Sequence, residues 1–123
     1  MNGTNILADT SLIVNYFNGI DVVKEHISKR TIFVSFITEL ELLSFSNLTV
    51  ADRKILHSFL SDCFIIEIDN EIKKTTIDLR IKYKIKLPDA IIAATAIRFD
   101  LPLFTLDKGF KKIEKLNSII LSV

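Results

Sequence analysis

Acidic residues in this sequence lie where buried segments are predicted to end. Asp9 directly follows the first short apolar run, and Asp107 comes two residues after the fourth. Glu39 and Glu41 lie in the first turns after the second run, and Asp89 opens a long apolar helix. Carboxylates that converge repel one another and raise each other's pKa values, unless a bound cation neutralises them. Because no His or Cys accompanies these oxygen ligands, the pattern favours Mg²⁺ or Mn²⁺ over Zn²⁺, and metal-assisted phosphodiester hydrolysis as the chemistry.

Each of these carboxylates also has a local explanation that involves no ligand. Asp9 is a suitable N-cap, Asp89 suits the first turn of a helix, and Asp107 lies in a turn-like Asp-Lys-Gly sequence. Glu39 and Glu41 are two residues apart, so they point in different directions on a helix and only one of them faces a shared site. The coincidence of several such positions at one edge of a sheet favours a shared site over these separate roles.

The helix that Asp89 opens is the most distinctive stretch of the chain. Pro88 suits the start of a helix, because its missing N–H has no partner there. The side chains that follow Asp89 are apolar or small on all sides, with no charge until Arg98. A helix that is apolar all round belongs inside a protein. The sequence therefore predicts a buried helix that carries one carboxylate at its N-terminal end.

Short apolar runs alternate with helical segments along the chain. The predicted strands are residues 5–8, 31–34, 63–66, 103–105 and 119–121. Thr10 or Ser11 is the predicted cap of the first helix. The predicted helices are residues 12–17, 21–29, one from Ser35 or Thr38 to residue 43, 50–60, 69–84 with Asp69 as its cap, and one from Pro88, with a partly helical segment at 107–115.

Solidly apolar short strands that alternate with helices are typical of a parallel sheet covered on both faces. We therefore expect an α/β fold, a three-layer sandwich with a central, mainly parallel sheet of four to five short strands. In such sheets binding sites gather beyond the carboxyl ends of the strands, where the strand order reverses. Asp9, Asp107 and the glutamates after the second strand are expected at that edge.

Length and composition exclude several classes of protein. The 123 residues suit one domain, predicted as 1–123, and the net charge of +1 announces no polyanionic partner. Cys63 is the only cysteine, so no internal disulfide is possible, as expected of a reducing cytoplasm. No apolar run reaches the ~20 residues of a membrane span, and no signal peptide is recognisable. We expect a cytoplasmic protein that does not bind membranes.

Four blocks of the chain resemble the PIN-domain ribonucleases and, within them, the VapC-type toxins of bacterial and archaeal toxin–antitoxin pairs. The blocks are residues 7–11, 34–42, 87–96 and 103–110. Their order and spacing are similar to those of the family, and the block at 87–96, Leu-Pro-Asp-Ala-Ile-Ile-Ala-Ala-Thr-Ala, is the most specific. The resemblance covers nearly the whole chain and implies that the predicted α/β fold is PIN-like.

The resemblance also implies a metal-dependent endoribonuclease with Asp9, Glu41 and Asp89 as its acidic centre. Asp107 matches a fourth, more variable member of that centre. The implied ligands of Mg²⁺, or of Mn²⁺, are Asp9 and Asp89, with Glu41 and Asp107 acting directly or through water. Glu41 is preferred over Glu39 because it stands directly before a leucine, seven residues after the Val of the Val-Ser pair, as in the family.

Thr10 or Ser11 matches the hydroxyl that the family places after its first aspartate. Two positions depart from the family pattern. Gly109 stands where the family often has a second acidic residue, and Ser44 stands where its glutamate segment often ends in glycine. The change at 109 affects a second metal site, so we expect one Mg²⁺ and leave a second open.

The partners implied by the resemblance are an RNA substrate, a cognate antitoxin and a second copy of the chain. The apolar pairs at 12–13 and 42–43 are predicted as partner surface. Phe36, Phe45 and Phe110 are candidates for base stacking or for core packing. His26 and His57 are expected to be exposed. The cations available to phosphates, none of them singled out by sequence, are Lys73, Lys74, Arg80, Lys82, Lys84, Lys86, Arg98, Lys108, Lys111 and Lys112.

Three alternatives to a toxin remain open from the sequence. A housekeeping PIN nuclease in RNA processing or decay would keep the fold and the chemistry. A PIN fold that only binds RNA or protein would need no intact acidic set. A phosphorelay receiver domain also has an acidic pocket, but Ala8 stands beside Asp9, and the third strand ends in Ile66-Glu67-Ile68 without the needed aspartate.

Overall fold

Five parallel strands form one sheet between two layers of helices. The computed structural model describes residues 4–123, so the first three residues of the predicted domain 1–123 lie outside the described part. The strands are β1 (Asn5–Ala8), β2 (Thr31–Ser35), β3 (Phe64–Ile66), β4 (Leu103–Thr105) and β5 (Ser118–Ile120). Within residues 4–123 the helices are α1 (Thr10–Phe17), α2 (Asp21–Ile27), α3 (Phe36–Leu43), α4 (Val50–Ser61), α5 (Asn70–Lys82) and α6 (Leu87–Phe99), and a short 3-10 helix, η1, covers Lys108–Lys112.

Strand β1 shows how both faces of the sheet are buried. Ile6 and Ala8 pack in one core cluster with side chains of helices α1 to α4. Leu7 points the other way and packs in a second cluster with side chains of α5 and α6. Because both faces are covered, the strand is apolar and buried from Ile6 to Ala8, which is the reason for the solid apolar run in the sequence. The predicted three-layer α/β fold is confirmed, and all five strands are parallel.

In the strand order β3-β2-β1-β4-β5, the side of β1 on which the chain adds its next strands changes at the centre of the sheet. The chain moves from β1 outwards through β2 to β3, and then crosses back to place β4 on the other side of β1. A reversal of direction moves the connecting helices to the opposite face when the crossovers keep one hand. The carboxyl ends of β1 and β4 therefore adjoin at the point where sheets of this type bind ligands.

Helix α6 is buried as the sequence predicts. Ala90, Ala93 and Ala94 have no exposed surface, and the helix packs against α5 and the sheet. Its N-cap is Lys86, which makes no side-chain capping hydrogen bond. The helix ends at Asp100, whose left-handed backbone (φ 51°) stops it. No helix within residues 4–123 is long and apolar enough to cross a membrane.

Three local predictions differ from the structure. Helix α1 begins at Thr10 and is capped by Asp9, not by Thr10 or Ser11, because the Asp9 carboxylate accepts the Leu12 N–H. Helix α2 ends earlier than predicted, and Lys29 has a left-handed backbone (φ 66°). The segment after β4 is helical only as the 3-10 turn of η1.

The close packing of α6 generates a stability prediction. Ala94→Leu inserts three carbon atoms where no space is exposed, so we expect the free energy of unfolding to fall by about 1–3 kcal/mol. Ala51→Leu is the matched control, because Ala51 is exposed on α4, and it should change stability by less than ~0.5 kcal/mol. Urea unfolding of the two variants measures both values, and equal losses would contradict the burial of α6.

Candidate active site

Asp9 is the buried centre of the acidic group. It follows β1 and is only 4% exposed. Its Oδ1 atom accepts hydrogen bonds from the Leu12 N–H (2.9 Å) and the Ser11 hydroxyl (3.0 Å), and its Oδ2 atom accepts one from the Thr105 hydroxyl. Burial raises the pKa of Asp9, these hydrogen bonds partly offset the rise, and the charge of Asp89 adds to it. Three donors thus hold one carboxylate in a fixed orientation.

Thr105 is a site residue that the sequence analysis did not identify. It is the last residue of β4 and is fully buried. Its hydroxyl donates to Asp9 and its oxygen accepts the Asp107 N–H at 3.0 Å. It therefore connects the first and the fourth predicted acidic residues across the strand reversal. Its place at the end of a strand, two residues before Asp107, was the available signal.

Glu41 is held by a hydroxyl from another element. The Thr10 hydroxyl donates to Glu41 Oε1 at 2.6 Å and also lies 3.2 Å from the hydroxyl of the buried Thr38. These contacts join the first turn of α1 to α3, so the position of Glu41 depends on both. Among residues 4–123, Glu39 has no side-chain hydrogen bond to this group. Both predicted hydroxyls orient a carboxylate, Thr10 that of Glu41 and Ser11 that of Asp9.

Asp89 faces the same region without a hydrogen-bond partner among the described residues. Its carboxylate makes no capping hydrogen bond in α6, although it lies in the first turn of that helix, where a negative charge is favoured. The pKa of Asp89 is raised, first by burial and then by the charges of Asp107 and Glu41, while Lys86 lowers it. Asp89 therefore lies within electrostatic range of Asp9, Glu41 and Asp107, three acidic groups that are distant in the sequence.

Asp107 lies at the exposed rim and has a local role as well. Its Oδ1 atom accepts the Gly109 N–H at 2.8 Å and so caps η1. A Cβ atom at position 109 would lie 3.0 Å from that same oxygen. A larger residue at 109 would therefore push against the Asp107 carboxylate. The departure of the sequence from the family pattern at Gly109 leaves Asp107 free to adopt this conformation.

The donor set fits a hard divalent cation that keeps part of its water shell. Within residues 4–123, no three His, Cys, Asp or Glu side chains are arranged to hold one ion directly. Both oxygens of Asp9 already accept hydrogen bonds, whereas those of Asp89 accept none from the described residues. Mg²⁺ is usually bound by one or two carboxylates together with waters. The arrangement suits that mode of binding better than direct coordination by all four carboxylates.

Several other expectations are changed by the structure. Leu12, Ile13 and Leu42 are buried in the core, so the predicted apolar partner surface at these positions is wrong. Phe110 packs in a core cluster, which is one of the two roles expected for it. His26 is half-buried and packs edge-on against Phe104, with ring centroids 6.1 Å apart, whereas His57 is exposed as expected.

Comparisons with known proteins agree with this fold. The family model for the PIN domain matches residues 6–116. A chain in a toxin–antitoxin complex from Klebsiella pneumoniae is 32% identical, with a TM-score of 0.80 and coverage of 90% of this chain and 94% of that chain. A chain of VapBC2 from Rickettsia felis, bound to a DNA fragment from its promoter, is 25% identical, with a TM-score of 0.83 and coverage of 94% and 98%.

A chain of FitAcB from Neisseria gonorrhoeae, 24% identical with a TM-score of 0.80 and coverage of 93% and 96%, shows the same fold. No curated protein matches the sequence significantly. The receiver-domain alternative is wrong, because the matched family and these folds are those of another class. The chain therefore belongs to the PIN-domain family, a family of nucleases, and its resemblance to the VapC-type toxins is confirmed.

Proposed function

We propose that this chain is a divalent-metal-dependent endoribonuclease and the toxin of a type II toxin–antitoxin pair. The observation that carries the proposal is the Asp89 carboxylate, which accepts no hydrogen bond from a described residue and lies in the fields of Asp9, Glu41 and Asp107. A fold does not need such a group for its own stability, since the repulsion opposes folding. A bound cation and a phosphate substrate account for its presence.

The four carboxylates have different tasks in the proposed reaction. Asp9 and Asp89 would hold Mg²⁺ or Mn²⁺, with Glu41 and Asp107 contributing directly or through water. The ion would supply an activated water and neutralise charge on the phosphate. Ser11 and Thr105 keep Asp9 from rotating, and Thr10 does the same for Glu41. Fixed ligands of this kind need little reorganisation during a reaction.

An apolar groove supports the proposal of an antitoxin partner. It has a volume of about 340 Å³ and lies between α1, the end of α3 and α4. Phe17, Phe45 and Ile55 line it and are each at least 40% exposed. Such a groove suits the apolar face of a short helix from another protein. It replaces the buried positions that the sequence analysis assigned to this role. A homodimer remains an expectation from the family.

The catalytic proposal predicts the effect of removing one negative charge. Asp89→Asn should lower the rate of metal-dependent internal RNA cleavage by at least about a hundredfold, because it keeps the side-chain shape but removes a ligand charge. Asp62→Asn is the matched control and should cleave like the parent, because Asp62 is exposed and lies just before the amino end of β3, away from the carboxyl ends of the strands. The assay compares Mg²⁺, Mn²⁺ and a chelator on a pool of structured RNAs. Equal cleavage by folded Asp89→Asn would contradict the assignment.

The raised pKa of Asp89 predicts a pH-dependent gain in stability on its removal. Below its ordinary pKa of 3.8 such a carboxyl is protonated in both the folded and the unfolded protein, so it costs no stability. The cost in stability grows as the pH rises from 3.8 to the raised pKa of the folded state, and it is complete above that pKa. Metal-free Asp89→Asn should therefore melt about 2–4 °C above the parent at neutral pH, with the difference vanishing near pH ~4. Thermal unfolding at both pH values tests this. A variant that melts lower at neutral pH would show that the acidic group is not under repulsion.

The same experiment with added metal tests cation binding. Millimolar Mg²⁺ or Mn²⁺ should raise the melting temperature of the parent by mass action and have a smaller effect on Asp89→Asn. Equal shifts in the two proteins would indicate binding elsewhere.

The antitoxin proposal predicts the effect of a charge in the groove. Ile55→Glu should abolish copurification with the product of a small reading frame directly adjacent to this gene, because a carboxylate cannot be buried against an apolar helix without a large cost. Ile77→Glu is the matched control, since Ile77 is equally exposed but lies on α5 in the other layer. Copurification that survives Ile55→Glu would place the partner elsewhere, and an absent adjacent reading frame would favour the housekeeping alternative.

A further inference from the structure

A pocket beside the acidic group combines negative and positive charges. It has a volume of about 240 Å³, and Asp89 and Asp107 line one part of it. Lys84, Lys86 and Lys112 also line it, and all three are exposed. Carboxylates alone would repel a phosphate chain, so cations at the rim are what allow a polyanion to approach. The pocket therefore has the charge arrangement expected for one phosphate bound at the metal ion and the next phosphates of the same nucleic acid bound by lysines.

A second pocket continues from the first along the connection between α5 and α6. It has a volume of about 390 Å³ and shares Lys84 and Lys86 with the first pocket. Arg80, in the last turn of α5, and Tyr83, the C-cap of that helix, line only this second pocket. We call Arg80, Lys84 and Lys86 the cationic track. These residues lie at the end of α5 and on the loop that joins α5 to α6, beside the pocket that Asp89 and Asp107 line.

The loop under the cationic track is held in place by backbone contacts. Lys112 Nζ donates to the Lys84 carbonyl at 2.7 Å, and Arg80 Nε donates to the Ile85 carbonyl at 3.3 Å. The only ion pair between side chains of residues 4–123 joins Arg98 to Asp69, so neither Lys84 nor Lys86 has a carboxylate partner within 4.0 Å. The Lys84 and Lys86 ammonium groups thus remain outside any close ion pair, although Lys86 acts on Asp89 at longer range, and the loop backbone is fixed.

Lys86 stands at a position where a cation is unfavourable for the helix that follows it, although its charge stabilises the ionised Asp89 carboxylate. It is the N-cap of α6, a helix of 13 residues, and it makes no capping hydrogen bond. Ser, Thr, Asp and Asn are preferred there, and a positive charge is unfavourable beside the positive end of the helix dipole. Departures from local preference of this kind are expected at functional sites. A cation at this position fits a role in binding an anion.

We propose that the cationic track binds the backbone of single-stranded RNA and leads it into the carboxylate pocket. The proposal rests on the ribonuclease function proposed above. A row of cations along one loop matches the phosphates of one strand, whereas a duplex presents two strands and needs a wider basic surface. Lys84 and Lys86 are the positioning residues nearest to the carboxylates, and Arg80 contacts the RNA backbone farther from them.

Binding and cleavage assays test the track directly. Lys84→Gln and Lys86→Ser are made in the Asp89→Asn background, which does not cleave, and binding to a short fluorescein-labelled oligouridylate is measured by anisotropy in chelator at about 50 to 200 mM salt. Each change should weaken binding about 3- to 10-fold at low salt and lower the salt-dependence slope by about 0.7, the value for one phosphate contact of a single strand. Lys54→Gln, an exposed change on α4, is the charge-matched control and should bind like the background protein.

Thermal unfolding separates weak binding from poor folding. In the same background, Lys86→Ser should raise the melting temperature by about 2–4 °C, because serine caps α6 and the unfavourable cation is removed. A variant that is more stable yet binds RNA less tightly owes its loss to the missing cation. A lower melting temperature with weaker binding, or losses equal to that of Lys54→Gln, would overturn the track. Tighter binding of duplex DNA than of the oligouridylate would overturn its assignment to single-stranded RNA.

The cleavage assay keeps this inference distinct from the proposed function. With Asp89 intact, Lys84→Gln should raise KM for RNA more than it lowers kcat, since it weakens binding and leaves the carboxylates in place. RNA binding that depends on the track, in a parent that never cleaves, would refute the nuclease and leave the track standing. Cleavage that is indifferent to Lys84 and Lys86 would refute the track and leave the nuclease standing.

Discussion

Repulsion among carboxylates at one edge of a parallel sheet is the constraint on which this structure depends. Asp89 lies within electrostatic range of Asp9, Glu41 and Asp107, which come from separate parts of the sequence. The strand reversal at β1 brings them together, because β1 and β4 end side by side. Such an arrangement costs stability in the absence of a positive charge. The elements around it are arranged to hold the carboxylates in place despite that cost.

The fold stabilises these groups unequally. Asp9 is buried and accepts three hydrogen bonds, and Glu41 receives the Thr10 hydroxyl. Asp89 accepts none from the described residues, although the buried α6 fixes its backbone. The rigid members define the geometry, and the unsatisfied member remains available to a ligand. This division between held and open groups is what an ion with several bound waters requires.

The sequence predicted the sheet well because its strands are buried on both faces. Solid apolar runs located every strand to within one residue, and the apolar character of residues 87–97 located α6. The acidic positions followed from the rule that parallel strands end at one edge. Thr105 and the cationic track did not follow, since a threonine in a strand and lysines in a loop have ordinary local roles. Their relation to Asp9 and Asp89 exists only across elements that the pattern of one segment cannot pair.

A crystal grown with Mn²⁺ tests the shared cation site most directly, because the ion is located by its anomalous scattering. We expect a peak bonded to oxygens of Asp9 and Asp89 at about 2.1–2.2 Å, with waters completing the shell toward Glu41 and Asp107. No peak at this edge of the sheet at millimolar Mn²⁺, with the four side chains placed as described, would contradict it.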